Sequence, residues 1–249
     1  MNPPVVATLK PNLRVYPDLT SLNEAVAKNI AELTTTATER FHLTLSGGNT
    51  PRTLYTLLAT NFQDKIPWHS VHLFWSDERY VPQTDPISNY RMVRQALLDH
   101  IRVTPSNIHP IPTDFPDPNQ AAKAYEAILR TYFQTPWPTF SLVLLGLGID
   151  GHTASLFPDS AALEERKRWV IPTSSPTEPH LRITLTLPAL THAKQIYFIV
   201  AGVDKADAVQ KTLTEDSQTP ASQLLTQRPD AVLWTDEAAA RHVRHASIL

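Results

Sequence analysis

The chain has 249 residues, room for one large domain or two small ones, with 24 acidic and 22 basic side chains, a net charge of −2 and no cysteine. The balanced charge argues against a nucleic-acid partner, because the only concentrated basic groups, Arg166 to Arg168 and Arg241, His242, Arg244, His245, are short. The missing cysteine excludes a disulfide scaffold, a thiolate zinc site and a cysteine nucleophile.

The leading MNPPVVATLK lacks the basic start and apolar middle of a signal peptide. No apolar run exceeds about eight residues, whereas a membrane span needs roughly 20, so a soluble, cytoplasmic chain without a membrane partner is expected. Leu22, Val26, Ile30 and Leu33 then share one face of a predicted helix. FHLTLS (Phe41 to Ser46) and VHLFWS (Val71 to Ser76) are too short for core helices and too continuous for half-exposed strands, and predict strands buried on both faces. Ser88 of SNYRM predicts a capped helix start, and Ala122, Tyr125, Leu129 and Tyr132 a second amphipathic helix with Asp117 as cap and Pro118 in its first turn. SLVLLG (Ser141 to Gly146), QIYFIVAG (Gln195 to Gly202) and AVLWTD (Ala231 to Asp236) predict further buried strands. RITLTLP (Arg182 to Pro188) is strand-like, a strand is expected near Arg168 to Thr173, and Thr173 to Pro179 reads as a loop. Strands alternating with helices predict an α/β fold, a single Rossmann-like domain over residues 1–249 with a mostly parallel sheet and helices on both faces.

Ligands of open parallel sheets sit beyond the carboxyl ends of the strands, which here read SGGNTP, SDERY, GLGIDGHT, GVDK and TDE. Glycine numbers only 6 in 249 residues, and five of the six fall in two of these segments, at Gly47 and Gly48 and at Gly146, Gly148 and Gly151. SGGNTP, with Ser46, Gly47, Gly48, Asn49, Thr50 as N-cap and Pro51 at the first helical position, is an anion cradle or a plain strand-to-helix turn. It lacks the Lys-Ser/Thr ending of a nucleotide P-loop, so a bound phosphate would sit on a sugar. Gly146, Gly148 and Gly151 fit the dinucleotide pattern G-x-G-x-x-G, but the next expected strand ends in RWVIPTSS without the acid that would hold a ribose. The alternative is a catalytic turn in which His152 accepts a proton from water and Asp150 fixes its tautomer. In SDERY, Asp77 suits sugar hydroxyls and Arg79 an anion or developing oxyanion, unless the two form an ion pair within the loop. Arg91 could face solvent or the site. Lys205, in the first turn of a helix capped by Asp204, is unfavourable there unless an anion compensates it, and it and Arg182 are either anion ligands or solvated charges. No HExxH or G-x-S-x-G occurs, and His242 with His245 is treated as the solvated face of a terminal helix, so neither a metal nor a serine elbow is expected.

SGGNTP, SDERYVP, SNYRM and GLGIDGHTASLFP, followed by RITLTLPAL and VAGVDKADAV, together resemble the 6-phosphogluconolactonase family over roughly Leu45 to Val209. The resemblance implies the fold shared with glucosamine-6-phosphate deaminases, ribose-5-phosphate isomerases and CoA transferases. It implies hydrolysis of 6-phospho-D-glucono-1,5-lactone in the oxidative pentose phosphate pathway, with no cofactor, no metal and no obligate protein partner. His152 would be the general base and Asp150 its orienting partner, while Arg79 and Asp77 position substrate and stabilise charge. Ser46, Gly47, Gly48, Asn49, Thr50, Gly148, Arg182 and Lys205 would bind the phosphorylated substrate. Asn49 stands where a serine is commoner, which removes one hydroxyl from the loop and leaves its backbone. A deaminase or isomerase on the same fold, or a sugar-phosphate sensor without catalysis, are the alternatives.

Overall fold

The computed structural model describes residues 12–214 and 216–243. The leading MNPPVVATLK, and Arg244 and His245 of the C-terminal group, lie outside the described residues. Strand β1 (Asn12–Tyr16) leads to helix α1 (Leu19–Thr36), capped by Asp18 and burying Leu22, Val26 and Ile30 along the expected face. Strand β2 (Phe41–Leu45), helix α2 (Asn49–Asn61) and strand β3 (Val71–Trp75) follow. After Ser76 the chain leaves the sheet as a short strand, β4 (Asp77–Arg79), and helix α3 (Asn89–Ala96) opens on the Ser88 cap. Strand β5 (Ile108–His109) precedes helix α4 (Pro118–Phe133), which has the Asp117 cap and early proline that the sequence announces. Beyond it come β6 (Leu142–Leu145), β7 (Val170–Ser174), β8 (Leu181–Leu185), α5 (Leu187–Thr191), β9 (Ile196–Val200), α6 (Ala206–Thr212), α7 (Pro220–Gln227), β10 (Val232–Asp236) and α8 (Glu237–Ala240).

Seven strands form one parallel sheet in the order β1-β10-β9-β6-β2-β3-β5. All five residues of β3, of β9 and of β10 are buried, as a sheet covered on both faces requires. From β2 the chain advances through α2 to β3, whereas from β6 it advances the opposite way to β9 and β10. Right-handed crossovers therefore place helices on opposite faces, and a switch point opens between β2 and β6. One continuous apolar cluster runs from Leu22 to Ala239.

Three details differ from the sequence expectation. The segments near Arg168 to Thr173 and RITLTLP do not join the parallel sheet but form a small antiparallel one, β4-β8-β7. Thr173 and Ser174 accordingly end β7 rather than open a loop. Strands β1 and β5 were not anticipated, since the first is half-exposed and the second has only two residues.

Candidate active site

At the switch point the carboxyl ends of β2, β3, β6 and β9 surround a cleft of about 450 Å³. Ser46, Gly47, Gly48, Asn49, Thr50, Asp77, Arg79, Gly148, His152, Arg182 and Lys205 all line it, which brings together every sequence-predicted site residue except Asp150. Asp150 stands directly behind the wall, with its carboxylate on the His152 ring.

The loop after β6 is built around that ring. The Asp150 carboxylate accepts the His152 backbone N–H at 3.1 Å and lies 2.6 Å from Nδ1. A neutral ring that donates Nδ1–H to this carboxylate presents Nε2 with its lone pair, and Nε2 has no hydrogen-bond partner among the described residues. Partial burial pushes the Asp150 carboxyl up, but the His152 backbone and ring bonds outweigh it and keep the group below the ordinary carboxylate range. Phe157 covers the imidazole at 4.6 Å between ring centroids. A Cβ on Gly148 would lie 2.0 Å from His152 Nδ1, so only glycine lets the ring and its carboxylate pack against this turn. The turn is closed by Gly148 N–H donating to His152 O at 2.8 Å and docked by Ala221 N–H donating to Gly151 O at 3.1 Å. Gly148 thus makes room for the histidine, while Gly151, at φ 87°, turns the chain against Thr219.

The loop after β2 begins the helix earlier than expected. Helix α2 starts at Asn49, preceded by Gly48 at φ 107°, which moves Thr50 and Pro51 inside the first turn instead of to the cap and first position. No side chain caps that end, so the first backbone N–H groups face the cleft. Tyr55 of α2, fully buried, brackets the loop by accepting the Ser46 N–H at 2.9 Å and donating to the Ser46 carbonyl at 2.8 Å.

Asp77 and Arg79 alternate with Glu78 along β4, so the first two face the cleft and Glu78 the interior. Asp77 does not pair with Arg79; its carboxylate accepts the hydroxyls of Ser155 at 2.6 Å and Ser76 at 3.2 Å. Arg79 donates to the Ile87 carbonyl at 2.6 Å and sits opposite Arg182 in the β4–β8 register. Two guanidiniums side by side are unfavourable without an anion between them. Burial, and then the Arg79 charge, lower the Arg182 pKa from the ordinary arginine value.

Lys205 lies in the cleft, but its setting differs from expectation. Asp204 caps nothing; it belongs to a single 3-10 turn, Val203–Lys205, entered through Gly202, and α6 begins only at Ala206. TDE at the end of β10 stays out of the site, since Asp236 accepts the Gly202 N–H at 3.0 Å and caps α8. Arg91 turns away to the Thr84 carbonyl at 2.7 Å. His242 lies 2.9 Å from Asp207 beyond the end of α8, not on the face of a terminal helix. Ser155, which with Thr153 follows the His152 turn as a sequence-expected source of hydroxyls, lines the cleft, whereas sequence reasoning missed Asn89, which also lines it, and Glu78 and Tyr55, which support it. Their partners lie at sequence separations that local patterns do not report.

The family described as "Glucosamine-6-phosphate isomerases/6-phosphogluconolactonase" matches residues 17–234. A 6-phosphogluconolactonase of Synechocystis is 40% identical over 207 residues, covering 81% of this chain and 84% of that protein. One from Mycobacterium leprae is 38% identical over 242 residues, covering 92% and 98%. The solved 6-phosphogluconolactonase of Trypanosoma cruzi superposes with a TM-score of 0.85 at 28% identity, covering 97% of this chain and 100% of that one. A parallel sheet whose switch point gathers an imidazole, an uncapped helix start behind two glycines and three cations, and a family match across most of the chain, give one conclusion: the chain belongs to the glucosamine-6-phosphate isomerase/6-phosphogluconolactonase family.

Proposed function

We propose that this chain hydrolyses 6-phospho-D-glucono-1,5-lactone to 6-phosphogluconate in the oxidative pentose phosphate pathway, as a single cytoplasmic domain. The observation that carries the reading is the His152 ring, held through Nδ1 by Asp150 at 2.6 Å, in the same cleft as Arg79, Arg182, Lys205 and the Gly47–Gly48 loop. Water attacks the lactone carbonyl carbon while His152 Nε2 takes its proton. Arg79 stabilises the oxyanion that develops on the carbonyl oxygen. The bond from that carbon to the ring oxygen then breaks, His152 returns the proton to the departing oxygen, and the new acid ionises to solvent. Asp77, fixed by Ser155 and Ser76, accepts from a sugar hydroxyl. The phosphate is held at the start of α2 by Ser46, Gly47, Gly48, Asn49 and Thr50 and by Arg182 and Lys205, with Gly148 admitting the substrate beside the imidazole. Anchoring the far end of an already activated ester lets binding energy orient the carbonyl.

Acid release from freshly generated lactone, followed by pH-stat with and without the protein, tests the reading. Release well above the spontaneous rate is expected. No acceleration, together with ammonia release from glucosamine 6-phosphate, would transfer the chain to the deaminase side of its family.

A further inference from the structure

The side chain between the two cleft-facing residues of β4 has no assigned role. Glu78 is 1% exposed, and no cation pairs with it among the described residues. Instead its carboxylate gathers four donors. Oε1 accepts the backbone N–H of Arg79 and of Asn89, each at 2.7 Å, and Oε2 accepts the N–H of Tyr90 at 2.7 Å and the Ser88 hydroxyl at 3.2 Å. These donors belong to opposite ends of the connection from β4 to α3, so one carboxylate closes that loop at its base. Burial pushes the carboxyl up to about 7 even against these bonds, a cost that a packing role alone would not require.

What the loop carries explains the arrangement. Arg79 stands at one end, with its guanidinium bonded to the Ile87 carbonyl of the same loop. Asn89 stands at the other, donating to the Asp77 carbonyl at 3.0 Å, and its amide fills the space beside Gly47, where a Cβ would come within 2.0 Å. Glu78 therefore ties the strand that presents Asp77 and Arg79 to the residue packed on the anion loop. A glutamine could not replace it, because its amide nitrogen would point a donor at donors and leave a buried N–H unpaired.

We propose that Glu78 is a positioning residue that aims Arg79 at the reacting carbonyl by locking both ends of the β4–α3 connection. The proposal rests on the lactonase reading, and its test separates the two. In Glu78→Gln, kcat for the lactone should fall by about tenfold or more while KM changes by less than about threefold, since Tyr55 holds the Ser46 backbone of the phosphate loop independently of Glu78. In an Arg79→Ala background the same substitution should cost less than about twofold, because its effect passes through that guanidinium. Losses that multiply in the double variant, or an undiminished kcat in Glu78→Gln, overturn the proposal. Should Glu78→Gln fail to fold, Ser88→Ala removes one of the four donors and should lower kcat about two- to fivefold, again only when Arg79 is present; a full kcat in Ser88→Ala then counts against the proposal. A second readout does not need turnover. The Arg79 Nη–H resonance, assigned with Arg79→Lys, should move to the position of a solvated arginine in Glu78→Gln, or in Ser88→Ala in its place, as the bond to the Ile87 carbonyl is released, and an unmoved resonance overturns the positioning role. If the wild-type protein does not accelerate lactone hydrolysis, the lactonase reading falls and this resonance alone decides on Glu78.

Discussion

In the proposed reaction a single imidazole, His152, carries the chemistry, and the partner that holds its ring lies two residues away at Asp150. Asp150 and His152 were legible in the sequence because a glycine-confined turn at a strand end leaves few other uses for that spacing, and the 2.6 Å contact has the form that spacing suggests. Asp77 was legible only in part. Its place in the cleft follows from the strand end, but its bond to Ser155 could not be read, because Ser155 lies 78 residues away. The division of labour among these residues predicts a split in kinetics. His152→Asn removes the base without touching the anion loop, so kcat should fall by roughly 10²- to 10⁴-fold with KM little changed. Arg182→Ala should do the reverse, raising KM by about tenfold and leaving kcat within a few-fold, since the lost contact anchors substrate and transition state alike. Steady-state kinetics on the phosphorylated lactone check both. A His152→Asn enzyme with full kcat removes the base, and an Arg182→Ala enzyme with unchanged KM removes the anchor.

Elements are positioned by devices that alternate between local and distant. The caps of α3 and α4 could be read directly, because Ser88 and Asp117 act within their own first turns. The three-stranded sheet could not, since β4 is a polar tripeptide, Asp77–Arg79, that extends only because β8 supplies its ladder. The start of α2 was misplaced for a related reason. The sequence offered Thr50 and Pro51 as ordinary helix-start residues, but Gly48 at φ 107° turns the chain into the helix sooner. What fixes this early start is Tyr55, whose hydroxyl is bonded to both backbone groups of Ser46. Tyr55→Phe leaves a buried N–H and a buried carbonyl without a partner, at a cost of about 1 to 3 kcal/mol. Urea unfolding should show that loss, and KM for the lactone should rise a few-fold as the anion loop loosens. A lower stability with unchanged KM would mean that the bracket supports the sheet and not the site.

Across the whole molecule the cleft lies at one end of the parallel sheet, and a separate cluster of imidazoles lies within the sheet. His42 on β2, His72 on β3 and His109 on β5 stand side by side beneath Tyr132 and Phe133 of α4. His72 Nδ1 lies 3.2 Å from His109 Nε2, and the Tyr132 hydroxyl bonds to the His72 ring. Burial first, and then the neighbouring imidazoles with Arg40 and, for His42, Lys194, depress the pKa of His42 and of His72 to about 4. An unfolded histidine titrates near 6.5, so as pH falls the unfolded chain takes up protons before the folded one does. The stability contributed by neutral imidazoles is therefore complete above about pH 6.5 and is lost as pH falls toward 4. Glu78 acts in the opposite sense. Its carboxyl, raised to about 7, stabilises the fold most below about 4.5 and progressively less as pH rises through 7. Two strongly depressed imidazoles oppose one carboxyl, so the net slope should favour neutral pH. Replacing one imidazole isolates its share. His42 makes edge contacts with Phe74 and Phe133 and no side-chain hydrogen bond among the described residues, so His42→Phe removes the titration without stranding a partner. At pH 7.5 the variant should lie within about 1 kcal/mol of the parent. Between pH 6.5 and 4.5 the parent should lose more stability than the variant by an amount on the order of 1 to 2 kcal/mol, a range discounted for the partial exposure of His42 and its coupling to His72. Equilibrium urea unfolding of both proteins across that interval measures the difference, and parallel curves would show that this ring does not carry the acid sensitivity.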